Sequence, residues 1–244
     1  MRNKRILILG GTSDARVLAS DLIAAGYETV SSLAGVTEAP VMPKGQARVG
    51  GFGGEEGLYA YLKDGNFAAL ADATHPFAAQ ISQHGFNAAK RAGLPYLRLE
   101  REPWQPAAED HWIGVPNIAG AVAALPLDSH VMLTIGRKEI APFLERGDIS
   151  GVARMIEKSP LELPPKWQLV LARPPFNIEN EHKLMVTHRI THLVTKNAGG
   201  AQTAAKLLAA RGLGLPVIMI ARPLKPLAQS FATAATLVAA LGQA

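Results

Sequence analysis

The chain contains no cysteine. Disulfides, thiolate nucleophiles, cysteine-ligated zinc and iron–sulfur clusters are all excluded. Long apolar runs are missing too, since none approaches the roughly 20 residues of a membrane-spanning helix. The basic start followed by the apolar run at residues 6–9 imitates a secretory signal only briefly. That run is too short for the apolar core of a signal and leads straight into glycine. A cytoplasmic location and no membrane partner are expected. Basic runs are absent, as is any stripe of aromatics interleaved with Lys and Arg, so no nucleic-acid partner is expected. The seven histidines make no metal pattern. His188 and His192 are four apart, but a strand is expected to start beside Thr191 between them, so no metal site is expected.

What is present describes a globular chain of short elements. Of 244 residues, 48% are hydrophobic and 18% charged, enough to bury a core. The 17 prolines and 23 glycines are spread evenly and suit tight connecting loops. Lys and Arg number 25 against 20 Asp and Glu, a net charge of +5 that favours an anionic partner. The cations sit singly at the ends of expected strands. That fits a small anionic ligand, with scattered surface charge as the plainer reading.

Short apolar runs alternate with amphipathic patterns. Strands are expected at 5–9, 27–33, 46–49, 67–73 and 94–100. Helices are expected at 14–25, 55–63 and 77–92, the first with Val17, Leu18, Leu22 and Ile23 on its apolar face. This β-α-β alternation argues a parallel sheet with helices on both faces. Residues 101–116 break the rhythm with Pro103, Pro106, Pro116 and two tryptophans, plus a short strand at 111–114, so the domain boundary is placed there. Asn117 caps a helix through 125. A second series follows, with strands at 131–135, 152–156, 167–172, 192–195 and 217–220. Its helices are expected at 138–146, 178–189, 201–211 and 230–241. The expected fold class is α/β, with domains at 1–116 and 117–244 and a ligand cleft between them.

The first strand runs into Gly10, Gly11, Thr12 and Ser13, with Arg16 on the helix that follows. A strand, a glycine turn and a helix start make a phosphate cradle. The dinucleotide fingerprint is imperfect, because Thr12 and Ala15 stand where it has its second and third glycines. A plain structural turn is the alternative. The second strand ends on Ser31 and Ser32 with no acid to hold a ribose 2′-hydroxyl. Ser31 and Ser32 as donors and Arg16 as charge suit a 2′-phosphate, so NADPH is favoured over NADH. Gly51, in a glycine cluster after the third strand, permits close approach of a ligand or simply a flexible loop. The fourth strand ends in Thr74 and His75, placed beside the first loop. His75 is read either as a proton donor or as a turn residue bonded to backbone.

In the second half, cations mark five strand ends. These are Arg137 with Lys138, then Lys158, Arg173, Lys196 with Asn197 and Gly199, and Arg222. Cations at a helix start oppose its dipole. Five such ends on one edge argue for a ligand with several carboxylates or phosphates.

Taken together, ILILGGTSDAR, DATHPFA, RLEREPW, LTIGRKE, VTKNAGG with Lys206 on the following helix, and PVIMIARP resemble the precorrin-6A reductase family over nearly the whole chain. The segment 103–116 carries no recognisable motif. The resemblance implies two Rossmann-like domains, NADPH as hydride donor, and reduction of one double bond in a contracted-ring tetrapyrrole bearing several carboxylates. The family has a cobalt-free and a cobalt-containing branch. On this reading His75 or Lys196 supplies the proton, with bulk water as a further source. Other readings are an NADPH reductase of another polyanionic small molecule and a non-catalytic NADPH-sensing module. A monomer is compatible with the sequence.

Overall fold

The computed structural model describes residues 4–35, 41–158 and 160–243. The first residues of the basic start lie outside that range. The elements follow in the order β1 (Arg5–Leu9), α1 (Ser13–Ala24), β2 (Glu28–Leu33), β3 (Gln46–Val49), α2 (Glu55–Asp64), β4 (Ala69–Asp72), α3 (Ala79–Ala92), β5 (Tyr96–Leu99) and β6 (Trp112–Val115). They continue with α4 (Ile118–Ala123), β7 (His130–Leu133), α5 (Ala141–Leu144), β8 (Ser150–Met155), β9 (Trp167–Leu171) and α6 (Ile178–Thr187). The last are β10 (His192–Lys196), α7 (Ala205–Gly212), β11 (Val217–Ile220), β12 (Gln229–Phe231) and α8 (Ala234–Gln243).

The strands form two six-stranded sheets, β12-β5-β4-β1-β2-β3 and β6-β11-β10-β7-β8-β9. Every strand pair in both is parallel. Counted outward from β1, the first sheet has the 3-2-1-4-5-6 order of a dinucleotide-binding sheet. The second has the same order counted from β7, except that its sixth strand, β6, comes before β7 in the chain. The first sheet thus takes its last strand, β12, from the C-terminal segment, while the second draws all six of its strands from the continuous stretch Pro103–Pro223. The chain divides after Glu102 and again after Pro223, and the C-terminal segment returns to the first unit. The division expected at 116 and 117 is corrected on both counts. β11 (VIMI) is buried along its length and needs a neighbour on each side, which β6 supplies. β5 likewise gains β12, and Leu237 of α8 joins Leu97 and Leu99 in one cluster.

In the first unit β1 alternates strictly. Ile6 and Ile8 pack with α1 and α8, while Leu7 and Leu9 pack beneath α2 and α3. The buried stripe of α1 is Ala15, Leu18, Ala19 and Leu22. Val17 and Ile23, expected inside, are exposed. The period of 3.6 is better kept by 15, 18, 19 and 22, with small alanines allowing close approach to the sheet. In the second unit Met132, Val152, Leu193 and Val217 from four strands meet Met185, Leu207 and Ala210 from α6 and α7. Gly151 opens β8 because a Cβ there would lie 1.9 Å from the Val131 carbonyl oxygen.

Two expected helices are shorter than their apolar patterns. The one at 138–146 shrinks to Ala141–Leu144, because Pro142 has no N–H to donate and is tolerated only in a first turn. The one at 230–241 begins at Ala234, because Gln229–Phe231 pairs with β5. Among the described residues no helix is long and apolar enough to cross a membrane.

The segment without a recognisable motif is tied down by Asp110. Its carboxylate accepts from Ala107 N at 2.8 Å and from Arg211 Nε and Nη2 of α7, each at 2.9 Å. The Arg211 guanidinium, first of all through its hydrogen bonds, holds the Asp110 carboxyl below its ordinary value. A depressed carboxylate pKa stabilises the fold above the unfolded value, and that gain is lost as pH falls through the folded value. Asp110→Asn is therefore expected to lower the melting temperature at neutral pH. The gap to the unsubstituted chain should close as pH is taken below about 4. A gap of constant size down to that pH would mean that the charge of Asp110 contributes nothing.

Candidate functional site

In a doubly wound sheet the ligand crevice lies outside the strand carboxyl ends, at the point where strand order reverses. In the first unit that point falls between β1 and β4, and in the second between β7 and β10.

At the first switch point the chain leaves β1 through Gly10 and Gly11. Gly10 is packed, with Ala15 Cβ and Ser32 O each 3.5 Å from a Cβ placed there. Gly11 has φ +101° and nothing within 4 Å of such a Cβ. Thr12 then caps α1. Its Oγ1 accepts from Ala15 N at 3.0 Å and donates to Ala73 O at 2.8 Å. The residue standing at the fingerprint's second glycine therefore has two hydrogen bonds and ties the first loop to the end of β4. The first N–H groups of a helix have no intrahelical acceptor. With Ala15 served by Thr12, those of Ser13 and Asp14 remain for an anion. Arg16 turns back to Thr12 O at 3.4 Å.

The turn after β4 lies beside this loop, as expected. Thr74 donates through N (3.1 Å) and Oγ1 (2.6 Å) to Asp72 Oδ1, and Tyr96 OH donates to Asp72 Oδ2 at 2.6 Å. Burial first, and then the Asp72 charge, push the Tyr96 phenol up, so it stays protonated and keeps donating. His75 Nδ1 accepts from Phe77 N at 3.2 Å, so the neutral ring carries its proton on Nε2. His75 is therefore bonded to backbone within the turn, and its neutral ring keeps an N–H on Nε2. Sequence reasoning missed the charges behind this turn. Arg98 Nε lies 3.8 Å from Asp72, Lys225 Nζ lies 3.2 Å from Glu100 and 3.5 Å from His75 O, and Arg101 pairs with Asp14 at 2.7 Å.

At the end of β2 the period of two separates the serines. Ser31 is buried, and its Oγ has no hydrogen-bond partner among the described residues. Ser32 Oγ accepts from Arg48 Nη1 at 2.8 Å. Arg48 was also missed. It pairs in register with Ser32, donates to the carbonyls of Gly50 and Gly51 at 3.0 Å each, and lies 3.9 Å over the Phe52 ring. Gly51 thus contributes its carbonyl to holding a guanidinium. A cation from β3, and no acid, lies beside the end of the second strand.

In the second unit Thr134 repeats the tie across the switch point. Its N and Oγ1 donate to Val194 O at 3.0 and 3.1 Å. Because the sheet is wholly parallel, the five cation-bearing strand ends do share one edge. Arg137 Nη1 donates to Lys158 O at 3.1 Å and lies 3.6 Å from Glu157 Oε2. Arg173 Nη2 lies 3.1 Å from Glu157 Oε1. Lys196 pairs with Glu139, while Lys138 and Lys158 are exposed. Two members of the set turn inward. Asn197 Oδ1 accepts from Trp104 N at 2.8 Å and its Nδ2 donates to Trp104 O at 3.0 Å. Arg222 donates to Asn197 O at 2.9 Å and Ala198 O at 3.1 Å. Gly199, at φ +70°, turns the same loop. These residues shape the loop that carries Lys196. Lys206 is buried with Nζ 5.1 Å from the Trp104 ring centre.

A cavity of about 430 Å³ lies at the opposite, amino-end edge of this sheet, lined by His130, Ser150, Gln168 and His188 among others. It contains none of the strand-end cations. Among the described residues no group of three or more His, Asp or Glu side chains could hold a metal ion.

The comparisons with known proteins agree with one another. The family model described as "Precorrin-6x reductase CbiJ/CobK" matches residues 5–242. A precorrin-6A reductase of Rhodococcus erythropolis is 47% identical over 224 residues, covering 91% of this chain and 90% of that protein. A cobalt-precorrin-6A reductase of Priestia megaterium is 32% identical over 232 residues, covering 89% and 90%. The solved structure of a CobK precorrin-6A reductase superposes with a TM-score of 0.93 at 42% identity, covering 98% of this chain and 96% of that one. With the fold and nearly the full length in agreement, the chain belongs to the precorrin-6x reductase CbiJ/CobK family.

Proposed function

We propose that this chain is a soluble cytoplasmic enzyme of cobalamin biosynthesis that reduces precorrin-6A to precorrin-6B, with NADPH as donor. The observation that carries the reading is the open glycine turn at the first switch point of a 3-2-1-4-5-6 sheet, in a chain of this family. The residues fit a nicotinamide dinucleotide. A side chain on Gly11 would occupy the space over the turn, and the Ser13 and Asp14 amides serve a pyrophosphate. Gly10, Thr12, Arg16 and Thr74 complete that cradle, while Ser31, buried within β2, is not a direct donor to the ligand. Arg48, held by Ser32 and Gly51, supplies the positive charge that a 2′-phosphate needs, which favours NADPH over NADH.

When bound, the cofactor supplies the hydride. The chain's own residues position, charge and protonate. Arg137, Lys138, Lys158, Arg173 and Lys196 take the carboxylate arms of the tetrapyrrole, on a loop framework kept by Asn197, Gly199 and Arg222. Ordering two reactants in this way can remove up to ~7–11 kcal/mol from the barrier. The proton comes from the Lys196 ammonium, from His75 when its ring is an imidazolium, or from bulk water. Identities of 42–47% to relatives named for precorrin-6A, against 29–32% for those named for the cobalt form, support the metal-free substrate.

The test is loss of NADPH absorbance with purified protein and precorrin-6A under anaerobic conditions, with NADH and the cobalt-containing substrate as parallel arms. Turnover with NADPH and precorrin-6A is expected. No turnover with either substrate, despite NADPH binding, would remove the reading.

A further inference from the structure

The cations proposed to hold the substrate are already paired with carboxylates of the chain itself, and the pairing has a pattern. Glu157 lies two residues past the end of β8. One of its oxygens faces Arg137 from the end of β7 and the other faces Arg173 from the end of β9. A single carboxylate thus bridges three adjacent strand ends. Glu139, in the turn after β7, pairs with Lys196 at the end of β10. These are the contacts that an acetate or propionate arm would make on this edge.

The pairs are also open to exchange. The side chains of Arg137, Glu157 and Arg173 are 26%, 18% and 43% exposed. By contrast, the Arg154–Glu181 pair within the same unit is 5% and 4% exposed and out of reach of any solute. Ion pairs in contact with water contribute little net stability, because water competes for both partners. Replacing one carboxylate by another on the same guanidinium therefore costs little. Leaving the guanidinium unpaired costs more, and mutual repulsion of Arg137, Arg173 and Lys196 would loosen the loops.

We infer that Glu139 and Glu157 are placeholders: they occupy the carboxylate positions of the substrate site, keep its cations in place when it is empty, and are displaced by the arms of the tetrapyrrole. They act as specificity-determining residues. A ligand with a single carboxylate gains little by exchanging one pair. A ligand whose several carboxylates are fixed on one rigid ring displaces both glutamates at once and gains from their linkage. The inference rests on the proposed role of these cations in holding the substrate, and the experiment separates the two.

The measurement is the equilibrium affinity for precorrin-6A in the absence of NADPH, followed by quenching of tryptophan fluorescence under anaerobic conditions. Glutamine keeps the volume of glutamate and removes the competing charge. Glu157→Gln and Glu139→Gln are each expected to bind about two- to fivefold tighter, within the range of exposed pair energies. Glu28→Gln, at the exposed start of β2 in the other unit, makes the same change in net charge and should leave affinity unchanged. Arg137→Met with Arg173→Met should weaken binding at least tenfold. If the glutamine variants bind no more tightly than the unsubstituted chain while the double arginine variant binds weakly, the glutamates are plain supports and the placeholder inference is overturned. If the double arginine variant binds normally, the cations do not hold the substrate and the functional reading of this edge falls along with it. Tightening in Glu28→Gln equal to that in Glu157→Gln would reduce the effect to net charge and also overturn the inference.

Discussion

Glu181→Ala is expected to destabilise the second unit by about 3–5 kcal/mol, a large fraction of a domain's stability. Glu181 on α6 pairs with Arg154 on β8, and both side chains are almost wholly out of water. The guanidinium also lies 3.9 Å over the Phe176 ring. Burial, outweighing the Glu181 charge, lowers the Arg154 pKa, which is the signature of a cation held at a solvation cost. Removing the acid leaves that cation in the core without a counter-charge. The same desolvation cost means that the pair itself contributes little net stability. Replacing both partners, Arg154→Met with Glu181→Leu, should recover most of what the single change loses. One Glu181 oxygen has no hydrogen-bond partner among the described residues, which strengthens that expectation. All three tryptophans, Trp104, Trp112 and Trp167, lie in the second unit, so their fluorescence during urea unfolding reports this unit alone. A single variant within 1 kcal/mol of the unsubstituted chain, or a double variant no better than the single one, would contradict the account.

What the sequence made legible was local. RILIL followed by Gly10 and Gly11 identifies a buried strand and its turn, because four consecutive apolar residues and two glycines decide the matter without reference to the rest of the chain. The alternation of strands and helices led directly to two parallel sheets. The boundary was not legible, because it depends on which strand completes which sheet. Trp112–Val115 reads as a short edge strand wherever it pairs. Only the burial of β11 on both sides draws it into the second sheet. Gln229–Phe231 could not be separated from the helix after it, since its strand character comes from β5.

The site shows the same division. Cations at five strand ends could be counted, but which of them turn inward could not. Asn197 and Arg222 have the chemistry of ligand groups, yet Asn197 is bonded to the backbone of Trp104 and Arg222 to the carbonyls of Asn197 and Ala198. Arg48 was overlooked although a signal existed. The strand following β2 in a parallel sheet lies beside it, so a cation near the end of β3 stands next to the end of β2. Glu139 and Glu157 were passed over because acids beside basic residues read as ordinary surface charge.

Gly11→Val is expected to weaken NADPH binding on the order of 100-fold, equivalent to about 2.7 kcal/mol, while leaving tetrapyrrole binding unchanged. Two physical effects act together at this position. The φ of +101° is one that a β-branched residue adopts only at a cost of about 1–3 kcal/mol. The new side chain also fills the space over the turn where the Ser13 and Asp14 amides face an anion. Because nothing else lies within 4 Å of that Cβ, the protein has no packed neighbour to disturb, and loss of stability should stay within the strain cost. Gly11→Ala carries the smaller side chain and should fall between the two. Gly10→Val would be a poorer test, since its Cβ meets Ala15 and the Ser32 carbonyl and the result would mix binding with packing. Titration of NADPH against each variant, with the circular dichroism spectrum as the check on folding, separates the contributions. An NADPH affinity within twofold of the unsubstituted chain would show that the turn is only a structural bend. In that case the pyrophosphate would have to be held elsewhere along the strand ends of the first unit, and Arg48 would lose its reason to favour NADPH over NADH.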